Sequence, residues 1–179
     1  LQALVRQAPG YAPGEGALGS ALLQAGRPDE AQTHLSRALS LNPRLADVRF
    51  NLALLLGAES RHGETIALLR QGLRLEPSNP SFQQLLAWEL ATAPEADLRD
   101  GAEAVRLARS ALARSPQDPV YQYTLAAALA ETGDFKGALN AAEQAEAEAV
   151  RLGRAGQAAT IRAAIARLQK GQPLHAGTP

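Results

Sequence analysis

Four prolines, Pro9, Pro43, Pro77 and Pro116, each close an apolar stretch, and they stand 34, 34 and 39 residues apart. A fixed period of this size constrains the fold more than any other feature. A unit so short cannot bury its own apolar face, so successive units must stack to make a core. Three columns keep the same spacing: Leu18, Leu52, Leu86 and Leu125; Gly19, Ala53, Ala87 and Ala126; and Leu22, Leu56, Leu90 and Leu129. With leucine at about one position in six, two complete leucine columns arise by chance roughly once in a million per register, and this survives a choice among about 34 registers. Two further columns, Ala31, Thr65, Ala104, Ala138 and Ala38, Gly72, Ala111, Ala145, are spaced 34, 39 and 34. Their small side chains mark close approach of two backbones. The changed order of spacing puts five extra residues between Leu90 and Ala104, within 91–101.

The units are helical. Alanine (38) and leucine (29) make up more than a third of the chain, against eight valines and isoleucines together, a balance that favours helix over strand. Apolar residues recur at three and four, as in Leu18, Leu22, Ala25, and no stretch of five or more alternates as a half-buried strand would. Asn79-Pro80 and Asp118-Pro119 each set a capping side chain before a proline at the first helical position. Pro28 is followed by Asp29 and Glu30, whose charges suit a helix N-terminus.

Charge excludes partners chosen by bulk electrostatics. The first 90 residues carry eight charges of each sign and the remainder ten of each, so neither half is a basic footprint for nucleic acid. No cysteine is present, which removes disulfides, thiolate nucleophiles and zinc knuckles and fits either redox compartment. Uncharged stretches such as 119–130 are too short for a membrane span, which needs about 18–20 residues. The sequence leaves localisation open. Sixteen arginines against two lysines, with abundant alanine, is the composition of a GC-rich bacterial gene.

Within the repeat frame, Gly26-Arg27-Pro28-Asp29-Glu30-Ala31 and Gly133-Asp134-Phe135-Lys136-Gly137-Ala138 resemble the Gly-Asp-x-x-x-Ala turn into the second helix of the tetratricopeptide repeat family. The endings 38–43 and 72–77 are similar to that family's unit ends. The resemblance covers about residues 1–152 and implies an all-α fold, a right-handed α-α superhelix of antiparallel helix pairs. The units expected are 12–45, 46–79, an expanded 80–118 and 119–152, then a capping helix in 153–170 and a tail in 171–179. The expanded unit resembles one common near the C-terminal end of bacterial arrays. Departures are visible too. The family's early aromatic is Glu15, Arg49, Gln83 and Gln122 here, its mid-helix tyrosine is leucine throughout, and 60–63 reads as an irregular turn.

The two ends differ. Val150 stands where the closing proline is expected, so that helix should run to about Leu152 before Gly153. A final helix over 155–169 follows, with Ala158, Ile161, Ile165 and Leu168 on one face, as a terminal cap requires. Residues 1–11 read as the tail of a second helix whose first helix is missing, and no methionine occurs in the chain, so more repeats or another domain are expected before Leu1.

In the family the first helix of each unit lines a concave groove, and the resemblance places the fifth and ninth residues of each unit there. These are Gly16 and Ser20, Phe50 and Leu54, Gln84 and Trp88, Tyr123 and Ala127. Phe50, Leu54, Gln84, Trp88, Tyr123 and Ala127 are therefore the candidate partner-binding residues. Three of the seven aromatics fall on this one stripe, and aromatic anchors in a desolvated groove carry binding energy for an amphipathic helix or an extended apolar peptide. The alternative has Trp88 packed under the 93–99 stretch and Phe50 against its neighbouring helix. Members that bind chaperone C-termini hold a carboxylate at five groove positions. The equivalents here are Gly16, Ser20, Asn51, Ser81 and Leu85, of which only Asn51 matches, so a carboxylate clamp is not expected and Asn51 reads as a solvated or helix-bridging amide.

No residue set looks catalytic, and no cofactor or metal is expected. Residues 14–19 satisfy G-x-G-x-x-G literally, but Tyr11-Ala12-Pro13 before them is no strand, and Gly19 is explained by the small-residue column. His34, His62 and His175 lie far apart without a ligand pair and read as surface residues. Asp29, Glu30, Glu143 and Glu146 lack a nucleophile or basic partner and read as solvation. Five basic residues and no acidic one lie between Arg151 and Lys170, just after Glu143, Glu146 and Glu148. This reads as a solvated cap paired to those glutamates, with docking of an acidic partner as the alternative.

The function expected from the resemblance is a non-catalytic scaffold binding a protein or peptide in its groove. A second reading is the substrate-recognition or assembly region of a larger enzyme or membrane complex, for example fused to a glycosyltransferase. A third, single-stranded RNA reading by a pentatricopeptide-like array, is opposed by the neutral charge of both halves.

Overall fold

A computed structural model describes residues 10–176. The expected end of a preceding repeat, 1–11, lies almost wholly outside these residues. Among the described residues there are nine α-helices and one 3-10 turn, with no strand. The chain divides into two compact units, 1–77 and 78–179.

The first unit holds α1 (Ala12–Gln24), α2 (Pro28–Leu41), α3 (Ala46–Ala58) and α4 (His62–Leu75). Helices α1 and α2 pack as one pair, α3 and α4 as a second, and α2 lies on α3. Their core is Leu18, Leu22, Leu35, Val48, Leu52, Leu55 and Leu56 around Ala31 and Ala38. The second unit holds α5 (Pro80–Thr92), a 3-10 turn (Ala96–Leu98), α6 (Gly101–Leu112), α7 (Pro119–Glu131), α8 (Phe135–Arg151) and α9 (Ala155–Leu168). Here α5 pairs with α6 and α7 with α8, α7 also packs on α5 and α6, and α9 covers α8. Ala158, Ile161, Ile165 and Leu168 form the buried face of α9.

The small-residue columns are buried where two helices touch. Ala31, Ala38, Ala53, Ala87, Ala104, Ala111, Ala126, Ala138 and Ala145 are all fully buried. Among the leucines of the first column, Leu125 alone is only partly covered.

Local chemistry sets the helix ends. Asn79 Oδ1 accepts from Ser81 N at 3.0 Å, and Asp118 Oδ1 from Val120 N at 2.8 Å. Asp100 and Asp134 cap α6 and α8 in the same way. The turn between paired helices uses one residue of positive φ: Gly26 at 69° and Gly133 at 83°. The following N–H then donates back to the last turn, Arg27 to Leu22 O and Asp134 to Leu129 O. Ser60 does the same at φ 60°, with Arg61 N donating to Leu56 O at 2.9 Å. The turn expected to be irregular is therefore built as its counterparts are, with a serine held in a left-handed conformation that favours glycine.

Two of the positions where the family's aromatic is missing, Glu15 and Arg49, are buried polar bridges. Glu15 is fully buried on α1, and its two carboxylate oxygens meet His34 Nδ1 at 2.6 Å and Arg37 Nε at 3.0 Å, both on α2. Arg49 donates to Gln71 Oε1 at 2.5 Å and to the Pro43 carbonyl. Burial first, and the charge of Arg74 second, hold its guanidinium below the ordinary arginine value. The second helix supplies partners to Glu15, and the second helix with the preceding turn to the Arg49 terminal nitrogens, while Arg49 Nε is buried without a hydrogen bond; both side chains join their pair by polar contacts where the aromatic would have packed.

Candidate first-helix binding face

In the first unit, α1 and α3 carry the candidate stripe. Gly16 is buried under Val48, whose Cγ2 lies 2.5 Å from where a Cβ would stand. Ser20 Oγ donates to Gly16 O at 2.9 Å and accepts from Asn51 Nδ2 at 2.8 Å. Asn51 thus ties α3 to α1. Phe50 is half-buried, and Leu54, at 44% exposure, is the open apolar member. The stretch 14–19 lies wholly inside α1. Its glycines Gly16 and Gly19 face Val48 and Leu35, which is packing and not a phosphate loop.

In the second unit, α5 and α7 bring Trp88 and Tyr123 together. Their ring centroids are 5.3 Å apart at 45°, a tilted aromatic pair, and both side chains are half-buried. Gln84 Nε2 donates to Thr124 Oγ1 at 2.8 Å, which in turn donates to Val120 O. Ala127 is buried at 1% exposure, so it floors the face and offers little surface. Burial lifts the Tyr123 phenol above its ordinary value, opposed by the nearby charge of Arg167 on α9.

The next turn of the same two helices holds a cluster that the sequence did not announce. Glu131, at the end of α7, meets Arg99 Nε at 2.9 Å with one oxygen and His175 Nε2 at 2.5 Å with the other. An ionised carboxylate only accepts, so the His175 Nε2 carries the hydrogen. Arg99 also donates to the carbonyls of Ala93 and Pro94, which fixes the connector 93–100 against Glu131. The signal available in sequence was weak: Thr92 and Glu131 continue the stripe four residues beyond Trp88 and Ala127.

The expectation that all three histidines are simple surface residues is corrected. His34 and His175 are half-buried; His34 on α2 is bound to the Glu15 carboxylate of α1, and His175, in the non-helical segment after α9, to the Glu131 carboxylate of α7. The basic run pairs as expected, Arg162 with Glu146 at 2.6 Å and Arg151 with Glu148 at 2.5 Å. Among the described residues no group of three or more His, Cys, Asp or Glu could hold a metal ion, and no helix is long and apolar enough to cross a membrane.

Residues 22–89 match one tetratricopeptide repeat family model, and residues 95–151 match a second. The chain belongs to the tetratricopeptide repeat family. Its all-α helical-repeat fold is that of the family. It is similar to the crystal structure of MamA, with a TM-score of 0.70 and 14% identity over 86% of each chain. It is also similar to YrrB, described as a TPR protein with an unusual peptide-binding site, with a TM-score of 0.68 and 14% identity over 94% of this chain and 92% of that one. A third likeness is TTC0263, a thermophilic TPR protein of Thermus thermophilus, with a TM-score of 0.61 and 18% identity over 87% of this chain and 90% of that one. At these identities the likenesses establish the fold alone. No curated protein matches the sequence.

Proposed function

We propose that this tetratricopeptide repeat chain is a non-catalytic scaffold in which the first helices of a unit, α1 and α3 in the first or α5 and α7 in the second, hold an extended segment of a protein partner. Phe50 and Leu54 offer apolar surface in the first unit, and Trp88 and Tyr123 offer aromatic surface in the second, with the polar Gln84 on the same helix as Trp88. The observation that carries the reading is the Trp88–Tyr123 pair. Two large aromatics lie in contact on adjacent first helices and both remain partly open to solvent. Such rigid amphipathic surface is what dominates protein interfaces. YrrB's description as a peptide-binding TPR protein supports the same use of the fold.

The test starts from a peptide selected from a displayed library against the folded chain, then labelled and titrated by fluorescence anisotropy. Trp88 is the only tryptophan, so its emission reports occupancy of this face directly. Trp88→Ser/Tyr123→Ser, still helical by circular dichroism, is expected to bind at least about thirtyfold more weakly, the loss of one interface hot spot or more. Undiminished binding by the helical variant would place the contact elsewhere.

A further inference from the structure

Residues 172–176 leave the last helix and lie, non-helical, across the ends of α5 and α7, and nearly every one is held. Gln172 N donates to Arg167 O at 3.1 Å, and Arg167 Nη2 donates to Pro173 O at 2.9 Å. Leu174 is buried at 7% exposure, His175 is bound to Glu131, and Ala176 N donates to Thr92 O at 2.7 Å. Thr92 is the last residue of α5, so its carbonyl has no partner within the helix and is open to an incoming N–H. A segment needs no such set of anchors merely to follow a helix. The anchors are those of a peptide ligand: one backbone hydrogen bond, one buried apolar side chain and one charge-assisted side-chain bond. They adjoin the aromatic pair, since Thr92 Oγ1 donates to Trp88 O at 2.8 Å and the charge of Arg167 reaches Tyr123.

We propose that 172–176 is an intramolecular ligand occupying the C-terminal end of the second unit's binding face, and that a partner segment must displace it. This rests on the reading of that face as a peptide site. The chemistry of the competing partner follows from what the departing segment leaves behind. Glu131 Oε2 loses a donor and the Thr92 carbonyl loses an N–H. The matching occupant is an extended peptide in which an apolar residue precedes histidine, with a free backbone N–H on the residue after it. Arg99 is a positioning residue here. It holds the Glu131 carboxylate from the connector 93–100, within the stretch where the sequence places five extra residues.

A short tether gives an occupant an effective concentration of about 1 mM. A free peptide with a Kd of about 100 μM would then bind the intact chain about tenfold more weakly than a chain lacking the segment. The probe is a fluorescein-labelled synthetic peptide of residues 171–179, titrated by anisotropy against the full chain and a chain ending at Gly171. Expected are saturable binding to the shortened chain, binding about tenfold weaker to the full chain, and a further loss of tenfold or more in the shortened chain with Glu131→Ala. Leu174→Ser/His175→Ala in the full-length chain keeps the end of α9 and should raise peptide binding toward the shortened-chain value. It answers the question even where shortening disturbs the fold. Equal binding to full and shortened chains, abolished by Trp88→Ser/Tyr123→Ser, overturns the displacement while the peptide-binding face stands. Absence of binding to both a helical shortened chain and a helical Leu174→Ser/His175→Ala chain overturns the proposal outright.

Discussion

Replacing Gly19 by alanine tests the packing explanation of the glycine-rich stretch in α1. Alanine is what the same column carries at Ala53, Ala87 and Ala126, and on helix propensity alone the change stabilises by about 1 kcal/mol. A Cβ on Gly19 would stand 2.7 Å from Leu35 Cγ, 2.8 Å from Cδ2 and 3.1 Å from the Leu35 backbone nitrogen. Carbons pack best at about 3.5–4.0 Å, so the overlap is close to about 1 Å. Leu35 is fully buried, so moving its side chain disturbs the neighbours that cover it, and its backbone nitrogen cannot rotate away. Overpacking of this kind costs about 1–3 kcal/mol, leaving a net destabilisation of up to about 2 kcal/mol after the propensity gain. Gly156→Ala on α9 is the control, because a Cβ there meets nothing within 4 Å, and it should be neutral or stabilising by up to about 1 kcal/mol. Urea denaturation followed by far-ultraviolet circular dichroism measures both. In a Leu35→Ala background the obstructing side-chain atoms are gone, so Gly19→Ala should turn neutral or favourable, with a coupling of about 1–3 kcal/mol. If Gly19→Ala stabilises the parent chain as much as Gly156→Ala does, the close approach of α1 and α2 does not explain the glycine.

Ser60→Gly relieves a left-handed serine at φ 60° in a turn whose counterparts use glycine, and is expected to raise stability by about 1 kcal/mol in the same urea assay. Removing both partners of the buried Glu15 carboxylate, with His34→Ala/Arg37→Ala, should cost about 3 kcal/mol or more, and Glu15→Gln alone should cost less because no charge is left buried. Burial raises the Tyr123 phenol in the folded chain, so the unfolded chain ionises first, at about pH 10. The associated stability is complete below that pH and is lost as pH climbs through the folded value. Phenolate absorbance should show a late step that Tyr123→Phe removes, and urea midpoints of the parent should fall more steeply than those of Tyr123→Phe above about pH 10.

The period, the helices and the pairing were legible in the sequence because they rest on residues that repeat. Leucine and alanine columns 34 residues apart mark which face of each helix is buried, and a face that cannot be buried within one unit dictates stacking on the next. Capping by Asn79 and Asp118 was equally local, since the side chain and the amides it serves lie within three residues. The groups with chemistry outside the columns were not legible. Glu15 looked like a departure from pattern until α2 brought His34 and Arg37 to it, and Ser60 looked irregular until its φ put it in the same turn as Gly26. His175 lies 44 positions from Glu131, and Arg99 reaches that carboxylate only along the path of the connector 93–100. A repeat pattern fixes which helix face a residue occupies. It carries no information about a residue that appears once, and only the tertiary course of the chain, which satisfies the open ends of α5 and α7, brings such groups within hydrogen-bond distance.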